Sequence, residues 1–359
     1  MARIVFILGA GASQSTGAPL MREFMARIRD LRSGSLPNKH KPAFDLVWAG
    51  FLALKNVHAN VQMNYQGNIE DLFATFEMAR LLGALGSLEA EQVLSLPDAM
   101  REVISTTIEL GMPFPVGADG WIHPHADYDA FARMIRLHKD NRPHTFALIT
   151  FNYDIGLDYA LRIWEVPYDY CLSGNDQSGI PYLKLHGSLN WRSDPARERI
   201  SALAVSPQRI NEYTAGAEKV IIRASEWKTE AQPSQLPFIV PPTWNKTQYH
   251  HKIDKVWRRA SQELADAVVV FIVGYSAPAT DEFFRHLFAL GLAGGGVMDK
   301  IWVVNTNADA YGRIKGMLSG PLQEVAEFIS GDFHSQMERI ALITGLKGDA
   351  LDRWKLGKA

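Results

Sequence analysis

The chain has 359 residues, room for one large domain or two ordinary ones. Lys+Arg at 37 against Asp+Glu at 39 gives a formal net charge of −2, which excludes the basic excess of a general nucleic-acid or anionic-membrane binder. Hydrophobic residues at 47% supply a full core, and the lone Cys171 excludes a disulfide framework and a cysteine-based structural zinc site.

In chain order, the first element is the apolar run at residues 4–8. It is too short for a signal-peptide core or a membrane span, which predicts a soluble cytoplasmic protein. Lacking polar alternation, it reads as a strand covered on both faces. Leu20, Phe24, Ile28 and Leu31 then fall on one helical face after Pro19. From about 36 to 143 strand-like runs are missing. Helical pieces such as Ile69, Leu72, Phe73 and Phe76, and the loop MPFPVGADGWIHPHAD, predict a mostly helical insertion. Strand-like runs resume at 146–151, 182–185, 267–273 and 301–304, with a polar, irregular stretch at about 190–237. Ile253, Val256, Trp257, Ala260 and Leu264 form one later helical stripe. Phe283, Phe284, Leu287 and Phe288 form another, with Thr280 or Asp281 as its cap. Phe333, Met337 and Ile340 mark a last helix. This alternation predicts an α/β protein with a doubly wound parallel, Rossmann-like sheet. Residues 1–35 and 144–345 would form it, with 36–143 inserted and 346–359 as a C-terminal tail.

The strand ends carry the chemistry. Gly9-Ala10-Gly11-Ala12-Ser13 directly follows the first strand, and Gly17-Ala18-Pro19 comes next. A strand ending in Gly-x-Gly lets backbone approach a pyrophosphate, and the N-terminus of the following helix offers unpaired N–H groups to the anion. A dehydrogenase fingerprint would put a third glycine where Gln14 stands, and tight-turn glycines without a ligand are the other reading. Thr150-Phe151-Asn152-Tyr153-Asp154 ends the second strand, where ligands of open sheets bind, although Asn and Asp also simply end strands and cap helices. His186 ends a third strand beside Gly187, and imidazole can accept a proton near neutral pH. Gly274-Tyr275-Ser276-Ala277-Pro278 and Asn305-Thr306-Asn307 complete a set whose economical reading is one ligand crevice. His123 with His125, and His250 with His251, lack the spacing of a metal site and read as solvated loop or helix residues.

In this order the motifs resemble the sirtuin family of NAD-consuming enzymes. The family's Gly-Ala-Gly-x-Ser is matched by Gly9 to Ser13, and its Gly-x-Pro by Gly17 and Pro19. Thr-x-Asn-x-Asp is matched by Thr150, Asn152 and Asp154, and His-Gly by His186 and Gly187. Gly274 and Ser276 match the later Gly-x-Ser loop, and Asn305 the Asn after a hydrophobic strand. The resemblance implies a pyrophosphate near Ala10, Gly11 and Ser13, with Gly9, Pro19, Arg22 and Thr150 in the same NAD-binding set. It implies Asn152 and Asp154 around the nicotinamide and its ribose, His186 as base, and Gly274, Ser276 and Asn305 along the adenosine half.

Three departures bear on activity. Leu20-Met21-Arg22 replaces the family's Asp-Phe-Arg, and the four zinc-binding cysteines expected between His186 and Gly274 are missing, so no zinc ribbon and no metal are expected. PFIVPPTWNK, around Pro241, Pro242, Trp244 and Lys246, replaces the peptide-binding region. The insertion and this Pro-Pro-Thr-Trp stretch resemble bacterial sirtuin-like proteins of antiphage defence that hydrolyse NAD. The resemblance therefore implies NAD cleavage to nicotinamide and ADP-ribose, with NAD depletion as the outcome. It also implies a homo-oligomer paired with a HerA-like ATPase, with neither membrane attachment nor sequence-specific nucleic-acid binding. The rivals are an NAD-dependent protein deacylase, a dehydrogenase disfavoured by Gln14, and a non-catalytic NAD or ADP-ribose sensor.

Overall fold

Runs of apolar residues without polar alternation leave no face for water, so they pair into one sheet buried on both sides. The computed structural model describes residues 2–34, 36–55, 69–141, 144–174, 179–194, 199–210, 216–228, 236–240, 247–278, 281–294 and 296–358. Its strands in chain order are β1 (Ala2–Leu8), β2 (Phe114–Pro115), β3 (His144–Thr150), β4 (Tyr168–Asp169), β5 (Ile180–Lys184), β6 (Trp191–Asp194), β7 (Arg199–Ala202), β8 (Lys219–Val220), β9 (Val269–Val273), β10 (Lys300–Asn305) and β11 (Ala326–Ser330). Seven of them make a sheet in the order β11-β10-β9-β1-β3-β5-β4, and its pairings are parallel. Every predicted strand run lies in it, so the fold is the expected doubly wound α/β sheet.

Register brings the motifs together. Leu8 pairs with Thr150 and with Val273, Thr150 with Lys184, Val273 with Val304, and Asn305 with Ser330. The strands therefore end in one row, and whatever follows them meets along that row. After β1 the chain proceeds to β3 on one side, and after β9 to β10 on the other, so the crevice opens where these connections part.

The helices are α1 (Phe24–Ser33), α2 (Lys41–Lys55), α3 (Ile69–Leu82), α4 (Ala90–Gly111), α5 (Ala126–Asn141), α6 (Gly156–Ile163), α7 (Thr247–Ala265), α8 (Glu282–Leu292), α9 (Ala308–Met317), α10 (Pro321–Glu324), α11 (Phe333–Ile343) and α12 (Gly348–Lys355). Helices α6, α11 and α12 pack on α5, and α7 packs on α8. Two apolar cores result. The larger surrounds the sheet, with Phe6 stacked on Phe271 at 4.8 Å and edge-on to Phe131 of α5 at 4.9 Å. The smaller is built by α1 to α4, with Phe44, Phe73, Phe76 and Val103 at its centre. Helix α5 is thus part of the sheet's core although the sequence groups it with the insertion. Among the described residues no helix is long and apolar enough to cross a membrane.

The stretch at 190–237 contains the β6–β7 hairpin and β8, which pairs with β2. It is anchored by Arg192, 1% exposed, whose guanidinium donates to the carbonyls of Leu189, Trp191, Ala224, Ser225 and Trp227. His125 departs from its reading as a solvated loop residue. It is buried against Phe114, donates to the Pro113 carbonyl, and burial pushes its pKa down to about 4. His123 is exposed and sits beside Asp119, as expected of a surface loop.

Candidate functional site

A cavity of about 510 Å3 lies beyond the row of strand ends, within the usual range for small-molecule sites. It is lined by Ala10, Gly11, Ser13, Pro19 and Arg22 after β1, by Asn152 and Asp154 after β3, and by His186 after β5. Gly274 and Ser276 after β9, and Asn305 at the end of β10, line the opposite wall. Two sequence candidates stand behind it instead. Thr150, 1% exposed, donates to the Leu8 carbonyl and accepts from the Asn152 N–H, tying β1 to β3. Gly9 packs against the loop after β9.

The glycines are explained by that packing. Gly9 N–H donates to the Val273 carbonyl and Gly11 N–H to the Gly274 carbonyl, at 2.9 and 2.8 Å. A Cβ on Gly9 would stand 2.6 Å from the Tyr275 Cα, and one on Gly11 2.8 Å from the Gly274 Cα. Gly274 itself has φ +61°, and a Cβ there would meet the Ala12 nitrogen at 2.4 Å. The two loops interlock backbone to backbone. The expected helix N-terminus does not follow at once. The segments Ala10–Ala12 and Gln14–Thr16 are single 3-10 turns broken by Gly17 at φ +97°, and α1 begins only at Phe24. The N–H groups of Gly11, Ala12, Ser13, Thr16 and Gly17 already donate to carbonyls, so an anion here would meet the exposed Arg22 rather than an α-helix dipole.

The polar side chains form one network around Ser13, which is 1% exposed. Its hydroxyl donates to Asp154 Oδ2 at 2.8 Å and accepts from Asn152 Nδ2 at 2.8 Å. The second Asn152 amide proton goes to the Gly9 carbonyl at 2.9 Å. A serine has one proton and two lone pairs, so Tyr128, at 2.6 Å, must be the donor in its contact with Ser13. Asp154 also accepts from the Gly156 N–H, and burial raises its pKa against the opposing pull of Lys184. Below it, Lys184 donates to the Asp154 carbonyl at 2.5 Å and to Asp158 at 3.0 Å, both Lys184 and Asp158 side chains being fully buried. Tyr170 and Tyr182 donate to the same Asp158.

His186, 5% exposed, sits edge-on to Phe151 at 5.2 Å and 6.2 Å from Tyr153. Its backbone carbonyl accepts from the Val240 N–H. Gly187, at φ +85°, allows residues 238–240 to pass close by, since a Cβ would meet the Phe238 carbonyl at 2.1 Å. On the other wall Asn305 donates to the Tyr275 carbonyl and accepts from the Asn307 N–H, and Tyr275 donates to Asp281, which caps α8. Sequence reasoning missed Tyr128, the cavity residues Gly331, Asp332 and Phe333, and Ile108 of α4. Pro241, Pro242, Trp244, Lys246 and Thr280, and the side chains of His250 and His251, lie outside the described residues. Among the described residues no group of three or more His, Cys, Asp or Glu side chains could hold a metal.

No protein-family model and no curated protein matches the chain. Among solved structures it is similar to a Sir2 homologue variant in complex with ADP-ribose, at 16% identity over 97% of this chain and 95% of that one, with TM-score 0.41. A Sir2 homologue–NAD complex is 17% identical over 95% and 88% of the two chains, with TM-score 0.38. A structure described as the structural basis for the mechanism and regulation of Sir2 enzymes is 13% identical over 99% and 94%, with TM-score 0.43.

Proposed function

We propose that the chain hydrolyses NAD, releasing nicotinamide and ADP-ribose without a metal. The observation that carries this reading is the convergence of Asn152, Asp154 and His186 on one cavity with the Ala10, Gly11 and Ser13 backbone and with Arg22. The nicotinamide nitrogen leaves as a neutral ring by taking the electron pair of the bond to the ribose, so no general acid has to protonate it. The reaction needs support for a cationic ribose and a held nucleophile. Asp154 carries the charge that faces the ribose cation and orients the nicotinamide carboxamide. Asn152 has spent both amide protons, so its carbonyl oxygen is the atom that accepts from a ribose hydroxyl or the attacking water. Oxygen of that water bonds to the ribose carbon as the nicotinamide departs, and His186 takes the water's proton. Arg22, beside the Ala10–Ser13 turn, holds the pyrophosphate, and Asn305 lies along the adenosine half.

Water rather than an acyl-lysine peptide as acceptor is supported by the backbone beside His186. An extended peptide binds by adding to free N–H and C=O groups. Here Ser188 N–H donates to Phe238, Phe238 N–H to Trp191, and Val240 N–H to His186, so the chain's own segment takes these positions. Purified protein incubated with NAD alone should release nicotinamide. His186→Ala or Asn152→Ala should each lower turnover at least about 100-fold. Full activity of His186→Ala, or cleavage that requires an acylated peptide, would sink the reading.

The biological setting rests on the sequence resemblance: antiphage defence by NAD depletion, in a homo-oligomer paired with a HerA-like ATPase. An unrestrained NAD hydrolase would drain its own host, so assembly or a partner has to restrain it. Light scattering and NAD turnover, with and without the neighbouring gene product, test this; a fully active monomer indifferent to that product would refute it.

A further inference from the structure

We propose that Asp127 and Tyr128, on the first turn of α5, are positioning residues for this site, acting through the two serines of the loop after β1. The inference rests on the NAD hydrolase reading. Tyr128 is 1% exposed, and its hydroxyl fills the last lone pair of the Ser13 oxygen. Ser13 has no other freedom, because its proton is committed to Asp154 and its second lone pair to Asn152. Tyr128 thereby fixes the rotor that holds the Asn152 amide and the Asp154 carboxylate in one orientation. Burial, and next the charge of Asp154, hold the Tyr128 pKa well above the ordinary tyrosine value, so it stays a donor at any working pH.

Asp127 acts on the shape of the cavity. Its carboxylate is 3% exposed and bridges two walls: one oxygen accepts from the Ser15 hydroxyl, the other pairs with His334 Nδ1 at the start of α11. Gly331, Asp332 and Phe333, which line the cavity, immediately precede His334. One helix turn therefore sets both the aim of the reacting groups and the gap into which the nucleotide fits. Neither residue lines the cavity, so neither is a catalytic residue.

The two arms predict opposite kinetic signatures. Tyr128→Phe keeps the ring and removes one hydrogen bond; kcat should fall about tenfold, the scale of one lost hydrogen bond, with KM within threefold. Asp127→Ala should raise KM about tenfold and leave kcat within threefold, and the milder Ser15→Ala should shift KM in the same direction. A purely structural role would lower the thermal midpoint of the variants without any kcat-against-KM split, and that result would overturn the proposal. ADP-ribose affinity by calorimetry separates this inference from the reaction itself. A wild type that binds ADP-ribose yet leaves NAD intact would refute hydrolysis alone. The inference would still require Asp127→Ala to weaken ADP-ribose binding about tenfold and Tyr128→Phe to leave it within threefold, and unchanged binding in Asp127→Ala would overturn it.

Discussion

Because a carbonyl only accepts, the Gly9 oxygen dictates which end of the Asn152 amide turns toward it, and Ser13 takes the other amide proton. Asn152→Asp keeps the shape of the side chain but removes both donors and sets a carboxylate against the Gly9 carbonyl. It should lose turnover at least about 100-fold and unfold at a lower temperature than Asn152→Ala. Scanning calorimetry beside NAD turnover checks this, and an Asp variant more stable than the Ala variant would contradict it. The sequence drew attention to Asn152 and His186 because polar side chains after apolar strands are conspicuous. It was silent on the atom each presents. Tyr128 left no signal, since its partner Ser13 lies 115 residues away and a tyrosine on a helix is ordinary. Asp127 was hidden for a similar reason, as an acidic residue in a helix's first turn needs no function to explain it. Gly9 and Gly11 were noticed as an approach to a pyrophosphate, and nothing in the sequence showed that their missing side chains also admit the loop after β9.

At the scale of elements, α4 is held to the segment at 224–226 by Glu109, which accepts from the N–H and hydroxyl of Ser225 at 2.8 and 2.6 Å. Burial outweighs these bonds and raises the Glu109 pKa from 4.5 to about 7. Between those values the native chain keeps a proton that the unfolded chain has released, so stability falls as pH rises through that window, by an amount on the order of 3 kcal/mol. Glu109→Gln removes this titration. Its thermal midpoint should gain on the wild type progressively from pH 5 to 8, and parallel curves would refute the assignment. Elements announced themselves unevenly. The strands β1, β3, β9 and β10 were legible as unbroken apolar runs. Strand β11 was not, because exposed Glu327 follows buried Ala326 and exposed Ser330 follows buried Ile329, which breaks the run. Helix α8 was legible down to its cap, since Asp281 accepts from the Phe284 N–H. Leu20, in contrast, is extended rather than helical, and periodicity alone does not reveal that.

Across the whole molecule, ligand binding and folding are linked through the sheet's row of ends. A ligand at 100 times its Kd stabilises the native state by about 2.7 kcal/mol. ADP-ribose at that excess should therefore raise the thermal midpoint by a few degrees. Gly11→Ala, which drives a Cβ into the Gly274 backbone, should abolish the rise, and an equal rise in that variant would contradict the interlocked-loop account. Helix α4 also touches this row. Gly111, the last residue of α4, lies against Gly17, where an added Cβ would stand 2.1 Å from the Gly111 carbonyl; one on Gly111 would stand 2.9 Å from the Gly17 carbonyl. Two bare backbones meeting this closely leave no side chain to take up slack. The consequence is a rule about length. One residue gained or lost within α4 turns everything beyond it by about 100° and replaces Gly111 at the contact with a residue that carries a side chain. Insertions and deletions that exposed loops absorb are therefore closed to α4, whose count of residues is fixed by the loop after β1.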